Sequence, residues 1–185
     1  ESFNRDLFAH LANLSGGGVD VFLMHGNRDF LVSASAAAQA GMTLIPDAVE
    51  RELFGVRTLL MHGDTLCTDD VRYQRYRSWV RRPGLIRAFL ALPRGIREAI
   101  GGGLKRVSAG EKRIKAPAIM DVNEGAIETV LRAHGYPRLI HGHTHRPARH
   151  VHVVDGHACE RWVLADWYER GSYLRCDAQG CTAIP

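Results

Sequence analysis

Three short stretches of the 185-residue chain gather side chains suited to metal chemistry: HGNRD at 25–29, MHGDT at 61–65 and HGHTH at 141–145. Neutral imidazoles and a side-chain amide oxygen are ligands for borderline divalent ions such as Mn2+, Fe2+ or Zn2+. His143 and His145 are two residues apart, so in extended backbone both project to one side. Gly142, between His141 and His143, lets that backbone come close to a ligand. Asn27 and His62 each stand at or just past the end of an apolar run, where they can complete a shared shell. An isolated His-x-His is more often a surface accident. Three loops in matching positions make the metal reading. His141 reads differently, as packing or as support behind the ligands.

The elements that must hold these loops follow from periodicity. ESFNRDLFAHLANL reads as an amphipathic helix with Phe3, Leu7, Leu11 and Leu14 near one face. GGGVDVFLM gives a turn and a short strand that delivers HGNRD, and SASAAAQAG is a short helix closed by Gly41. RTLLMH is a second buried strand. Asp69 or Asp70 caps the helix VRYQRYRSWVRR, which Pro83-Gly84 ends. GLIRAFLALPRGIREAIGGGL is helical, broken around Pro93, and trails into a glycine-rich link. DVNEGAIETVLRAHG is a helix closed by Gly135, RLIHGHTHRP a third strand and loop, and the remainder alternates like an antiparallel meander. Strand, polar loop and helix in repetition, with a β-rich tail, predict an α/β sandwich whose site lies in loops at the C-terminal ends of strands.

Length and composition (45% hydrophobic, 24% charged) predict one soluble domain and exclude a disordered chain. No apolar run approaches the roughly 18 residues of a transmembrane helix, and no signal-peptide core is visible. Cys67, Cys159, Cys176 and Cys181 form no Cys-x-x-Cys pair and read as free thiols of a reducing cytoplasm. The net charge of +4 hides an asymmetry: residues 71–115 hold 13 of the 24 Lys and Arg but two acids, a local charge of +11. There Leu85, Ile86, Phe89, Leu90, Leu92, Ile96 and Ile100 interleave with Arg87, Arg94 and Arg97, as in an amphipathic interfacial helix. Each basic residue near an anionic membrane surface adds roughly 1 kcal/mol of attraction. Nucleic acid is the rival partner for such a segment.

In this order and with these gaps, HGNRD, MHGDT and HGHTHRP resemble the calcineurin-like metallophosphoesterases. FLVSASAAAQAGMTLIPD, MHGDTLCTDD, AIMDVNEGAI and LIHGHTHRPARH extend the likeness over nearly the whole chain. They point to the branch that hydrolyses UDP-2,3-diacylglucosamine to UMP and 2,3-diacylglucosamine 1-phosphate in lipid A biosynthesis. The resemblance implies one domain over 1–185, a four-layer αββα sandwich, with a helical, basic lid insertion at 66–118 that holds acyl chains. It implies two Mn2+ ions, one on Asn27, His62 and His143 and the other on His145. It further implies substrate contacts from Asn27, Arg28, Asp70, Ser108, Lys112, Lys115 and His143. A monomer on the inner face of the bacterial inner membrane is expected, cytoplasmic and peripheral, with a UDP-diacylglucosamine lipid as substrate and no nucleic acid as partner. The family's Asp-x-His and Gly-Asp motifs lie upstream of HGNRD, and nothing before Asn27 matches them. The chain is therefore expected to lack an N-terminal part of the domain, including the carboxylate that bridges both ions.

Arg28 is the expected catalytic side chain. Related phosphoesterases place His after the Asn, where it protonates an alkoxide leaving group. An arginine, with a pKa above ~12, stays charged and donates no proton at neutral pH. A fixed cation suits a phosphate leaving group, which needs its charge neutralised more than it needs a proton. Arg28 thus favours pyrophosphates over monoesters and diesters, unless it only pairs with Asp29 as part of the loop. A nuclease and a non-catalytic binding scaffold are the alternative readings of the whole chain.

Overall fold

The computed structural model describes residues 2–114, 121–167 and 171–185, with the side chains of 2–4 and 105–114 outside that description. Helix α1 (Ser2–Gly16) precedes strand β1 (Val21–Met24), which after α2 (Ala34–Gln39) pairs in parallel with β2 (Met42–Ile45). Ser33 caps α2 by accepting from the Ala36 N–H. Of the apolar stripe expected on α1, only Leu11 among the described residues packs, with Phe8, on a small core around Ala37, Ala40 and Met42; Leu7 and Leu14 are exposed, which corrects the expected face.

The larger sheet has the order β3-β4-β5-β7-β6, from β3 (Ala48–Leu53), β4 (Val56–Met61), β5 (Arg138–His141), β6 (Ala148–Val154) and β7 (His157–Val163). β4, β5 and β7 are parallel neighbours, so their C-terminal loops emerge along one edge of the sheet. Those loops contain His62, His143 and Asp166. Leu59 on β4 and Leu139 on β5 lie side by side in register and are fully buried. Each is worth roughly 2–3 kcal/mol of apolar burial. Helix α6 (Glu124–Ala133) buries Ile127 and Leu131, four residues apart on one face. A separate hairpin pairs β8 (Tyr173–Asp177) with β9 (Gly180–Ile184).

Two compact units result, Glu1–Asp64 with Ile127–Pro185, and Thr65–Ala126. The second unit contains α3 (Val71–Val80), α4 (Pro83–Ala91) and most of the basic charge. Asp70, not Asp69, caps α3, by accepting from the Tyr73 N–H at 3.1 Å. Helix α5 (Arg94–Ile114) corrects the expected glycine link, because Gly101, Gly102 and Gly103 lie within it. Ile96, Ile100 and Leu104 keep a four-residue spacing through the glycines and all remain exposed. The helix runs through the glycines despite roughly 1 kcal/mol of lost propensity for each.

Two further expectations are corrected. The tail is not a simple meander, since β7 pairs in parallel with β5 while β6 takes the sheet edge. Nor are all four cysteines free: the β8–β9 register sets Cys176 opposite Cys181, their Cα atoms 4.1 Å apart, and they form a disulfide. Direct cross-strand opposition brings the two thiols within bonding reach, which spacing alone does not reveal. Cys67 and Cys159 are buried thiols outside any disulfide. Among the described residues no helix is long and apolar enough to cross a membrane.

The end of α6 is tied to the β6–β7 turn by a carboxylate. Arg132 donates to both oxygens of Asp155, at 2.7 and 3.0 Å, and the Tyr136 hydroxyl donates at 2.8 Å. The Arg132 hydrogen bond, then that from Tyr136, holds the Asp155 carboxyl down at about 2. A carboxyl depressed on folding stabilises above its unfolded value near 4 and loses that contribution as pH falls towards 2. Asp155→Asn is therefore expected to flatten the fall in melting temperature between pH 4 and pH 2. A variant curve parallel to wild type would refute the link.

Candidate metal centre

The loop after β1 is folded back on itself. The Asp29 carboxylate accepts from the Gly26 N–H at 2.5 Å, and the His25 ring donates to the Val32 carbonyl at 2.8 Å. Gly26 is buried against the His62 ring: a Cβ there would stand 3.1 Å from the ring's Cε1 atom. Any larger residue would push this loop off His62. Asn27 is therefore held one residue from the ring it was expected to join. Arg28 is exposed and, among the described residues, forms no ion pair with Asp29, whose carboxylate is turned to Gly26.

His62 and His143 meet. His143 Nδ1 and His62 Nε2 are 3.3 Å apart, with the rings edge to face at 73°. Two imidazole nitrogens bound to one ion at about 2.1 Å sit about 3.0 to 3.4 Å apart for octahedral to tetrahedral angles. The observed separation lies within that range and is equally the length of a hydrogen bond between the two rings. The Gly142 N–H donates to the His62 carbonyl at 3.0 Å and stitches the two loops together. Among the described residues no group of three His, Cys, Asp or Glu side chains is placed to hold an ion.

The 141–145 loop is not extended, which corrects the expectation that His143 and His145 share a side. His143 and His145 have φ of +67° and +55°, and the Thr144 N–H donates to the Gly142 carbonyl at 2.8 Å. This is a γ-turn of the rare, strained hand centred on His143. Left-handed histidines cost energy and persist where the surroundings impose them, typically at functional sites. The turn separates the two rings' partners: His143 meets His62, whereas His145 Nδ1 lies 3.1 Å from the Asp166 carboxylate. A carboxylate on Nδ1 leaves Nε2 of His145 as the nitrogen open to a further partner.

A second glycine, Gly63, is required here by its backbone and surroundings. Its φ is +102°, and a Cβ on it would stand 2.7 Å from His141 Nδ1. His141 is fully buried, as its supporting role requires, and burial above all, with Arg161 adding, pushes its pKa down to about 4. Asp166 and Arg161 were not singled out from the sequence. Asp166 in LADW was findable as an acid just past a strand end, and Arg161 as a charge inside the alternating ERWVL.

Of the expected substrate contacts, Asn27, Arg28 and His143 lie in the first unit and Asp70 in the second. Asp70 spends one carboxylate oxygen on the α3 cap, and Asp69 is engaged by the Asn123 amide. Ser108 and Lys112 belong to α5, but their side chains, and Lys115 altogether, lie outside the described residues.

No protein-family model matches the chain. Curated relatives do. A protein of Aromatoleum aromaticum named UDP-2,3-diacylglucosamine hydrolase is 52% identical over 170 residues, covering 92% of this chain and 69% of the relative. Proteins of the same name from Neisseria meningitidis and Pseudomonas aeruginosa are 46% and 42% identical, over 98% and 100% of this chain and 75% and 77% of theirs.

Proposed function

The chain belongs to the UDP-2,3-diacylglucosamine hydrolases, and from that premise we infer its reaction and the roles of its residues. It is a hydrolase that cleaves the pyrophosphate bond of UDP-2,3-diacylglucosamine to UMP and 2,3-diacylglucosamine 1-phosphate, in lipid A biosynthesis. The observation that carries the site assignment is the 3.3 Å approach of His143 to His62 beneath the Asn27 loop.

Asn27, His62 and His143 hold one Mn2+, and His145, oriented by Asp166, belongs to a second. Bound there, such ions supply Lewis acidity that polarises phosphoryl oxygens and activates water. His62 and His143 spend their lone pairs as ligands and are not general bases. Arg28, exposed and uncommitted to Asp29, neutralises the charge that grows on the departing phosphate. Asp70, Ser108, Lys112 and Lys115, together with Asn27, Arg28 and His143, bind the substrate. A four-layer αββα sandwich with a lid at 66–118 is the architecture we assign. Exposed Ile96, Ile100 and Leu104 beside the arginines of α5 suit acyl chains and an anionic inner-membrane surface, where the protein acts as a peripheral monomer.

Supplied with Mn2+, the full chain is expected to cleave UDP-2,3-diacylglucosamine and to leave DNA intact. Equal cleavage of both would favour a nuclease. Asp166→Ala is expected to weaken Mn2+ binding about 10- to 100-fold, read by calorimetric titration. Unchanged affinity would remove Asp166 from the site.

A further inference from the structure

We propose that Arg161 is a positioning residue for the His62–His143 pair, acting through His141 on the peptide that closes the His143 turn. The proposal rests on the metal reading of that pair. Arg161 sits in the middle of β7 and is 4% exposed. A buried guanidinium is costly to desolvate and contributes little net stability, so what it holds in place is the informative question.

The register sets Arg161 beside Leu139 of β5, so His141, two residues on, lies on the same face of the sheet. Arg161 Nη1 donates to His141 Nε2 at 3.1 Å, and its Nε donates to His152 Nε2 at 2.9 Å. A guanidinium has donors only, so both imidazole nitrogens must be acceptors. The proton of neutral His141 is therefore on Nδ1, which donates to the Gly142 carbonyl at 3.0 Å. That same carbonyl accepts the Thr144 N–H at 2.8 Å and so closes the γ-turn that holds His143 at φ +67°.

A second contact carries the same chain to the other ligand. The His141 ring fills the space where Gly63 lacks a side chain, and a Cβ there would also stand 3.2 Å from the Gly142 oxygen. His141 thus wedges between the loop bearing His62 and the loop bearing His143. Its tautomer and ring plane are set from the far side by Arg161. Without that donor the ring can rotate or exchange its proton to Nε2, and the Gly142 carbonyl loses one of its two donors. The strained turn then has less to hold it.

Two variants and one spectrum test this. In the metal-free protein, 15N-histidine NMR is expected to show His141 as the Nδ1–H tautomer and to lose that signature in Arg161→Met. An Nε2–H tautomer in the wild type would overturn the proposal whatever the metal does. With Mn2+ alone as probe, Arg161→Met is expected to bind about 10- to 100-fold more weakly than wild type, with kcat lowered and KM for the lipid unchanged. A folded Arg161→Met with wild-type Mn2+ affinity would overturn it. Should Arg161→Met not fold, His141→Gln and His141→Leu decide. Glutamine offers both an acceptor to Arg161 and a donor to Gly142, so it recovers Mn2+ binding that leucine loses. Equal affinities for the two would sink the relay. Absence of Mn2+ binding in wild type, with the Nδ1–H tautomer present, would refute the metal reading and not the hydrogen-bond chain.

Discussion

His143→Ala is expected to lower UMP release from UDP-2,3-diacylglucosamine by about 100-fold or more, beyond the range usual for residues that merely support a ligand. The ring is one of two whose nitrogens lie 3.3 Å apart and which we propose share an ion. Removing it leaves His62 and Asn27 with no third donor from this loop. Alanine keeps the left-handed strain at φ +67°, whereas glycine relieves it. His143→Gly is accordingly expected to lose the same activity while melting no lower than His143→Ala. If His143→Gly stayed active, the turn would matter and the imidazole would not.

The second large effect concerns Arg28. Arg28→His restores the residue usual among related phosphoesterases and removes a permanent cation. Loss of one preorganised charge partner in a site of this kind costs about 10²- to 10³-fold in turnover. That loss is expected with the pyrophosphate substrate, and its measurement is kcat with saturating Mn2+. Arg28 forms no pair with Asp29, so its replacement leaves the loop's own hydrogen bonds, Gly26 to Asp29 and His25 to Val32, in place. Undiminished hydrolysis by Arg28→His would show that charge at this position is irrelevant to the leaving group.

The strands that carry the site were legible in the sequence because each is a short apolar run ending in a polar loop. The runs before His25, His62 and His141 became β1, β4 and β5. β2 and β3 were not anticipated: MTLI is brief, and AVEREL carries three charges on an edge strand that needs no apolar alternation. The glycine triplet of α5 misled because glycine's low helix propensity weakens a helix without necessarily ending it. Within the site, His-x-His spacing suggested an extended backbone that the 141–145 loop does not adopt. A left-handed turn at His143 depends on the Gly142 carbonyl, the His141 ring and Arg161, which sequence neighbours do not specify. Asp166 is 21 residues from His145 and joins it only because β5 and β7 are parallel neighbours.

UMP release by the full chain tests the central claim most directly. The chain is assayed on UDP-2,3-diacylglucosamine with Mn2+, after chelation, and after Mn2+ is restored. Release matched one for one by 2,3-diacylglucosamine 1-phosphate, abolished by the chelator and recovered with Mn2+, is the expected result. Hydrolysis that continues unchanged through chelation would contradict a metal centre on His62 and His143.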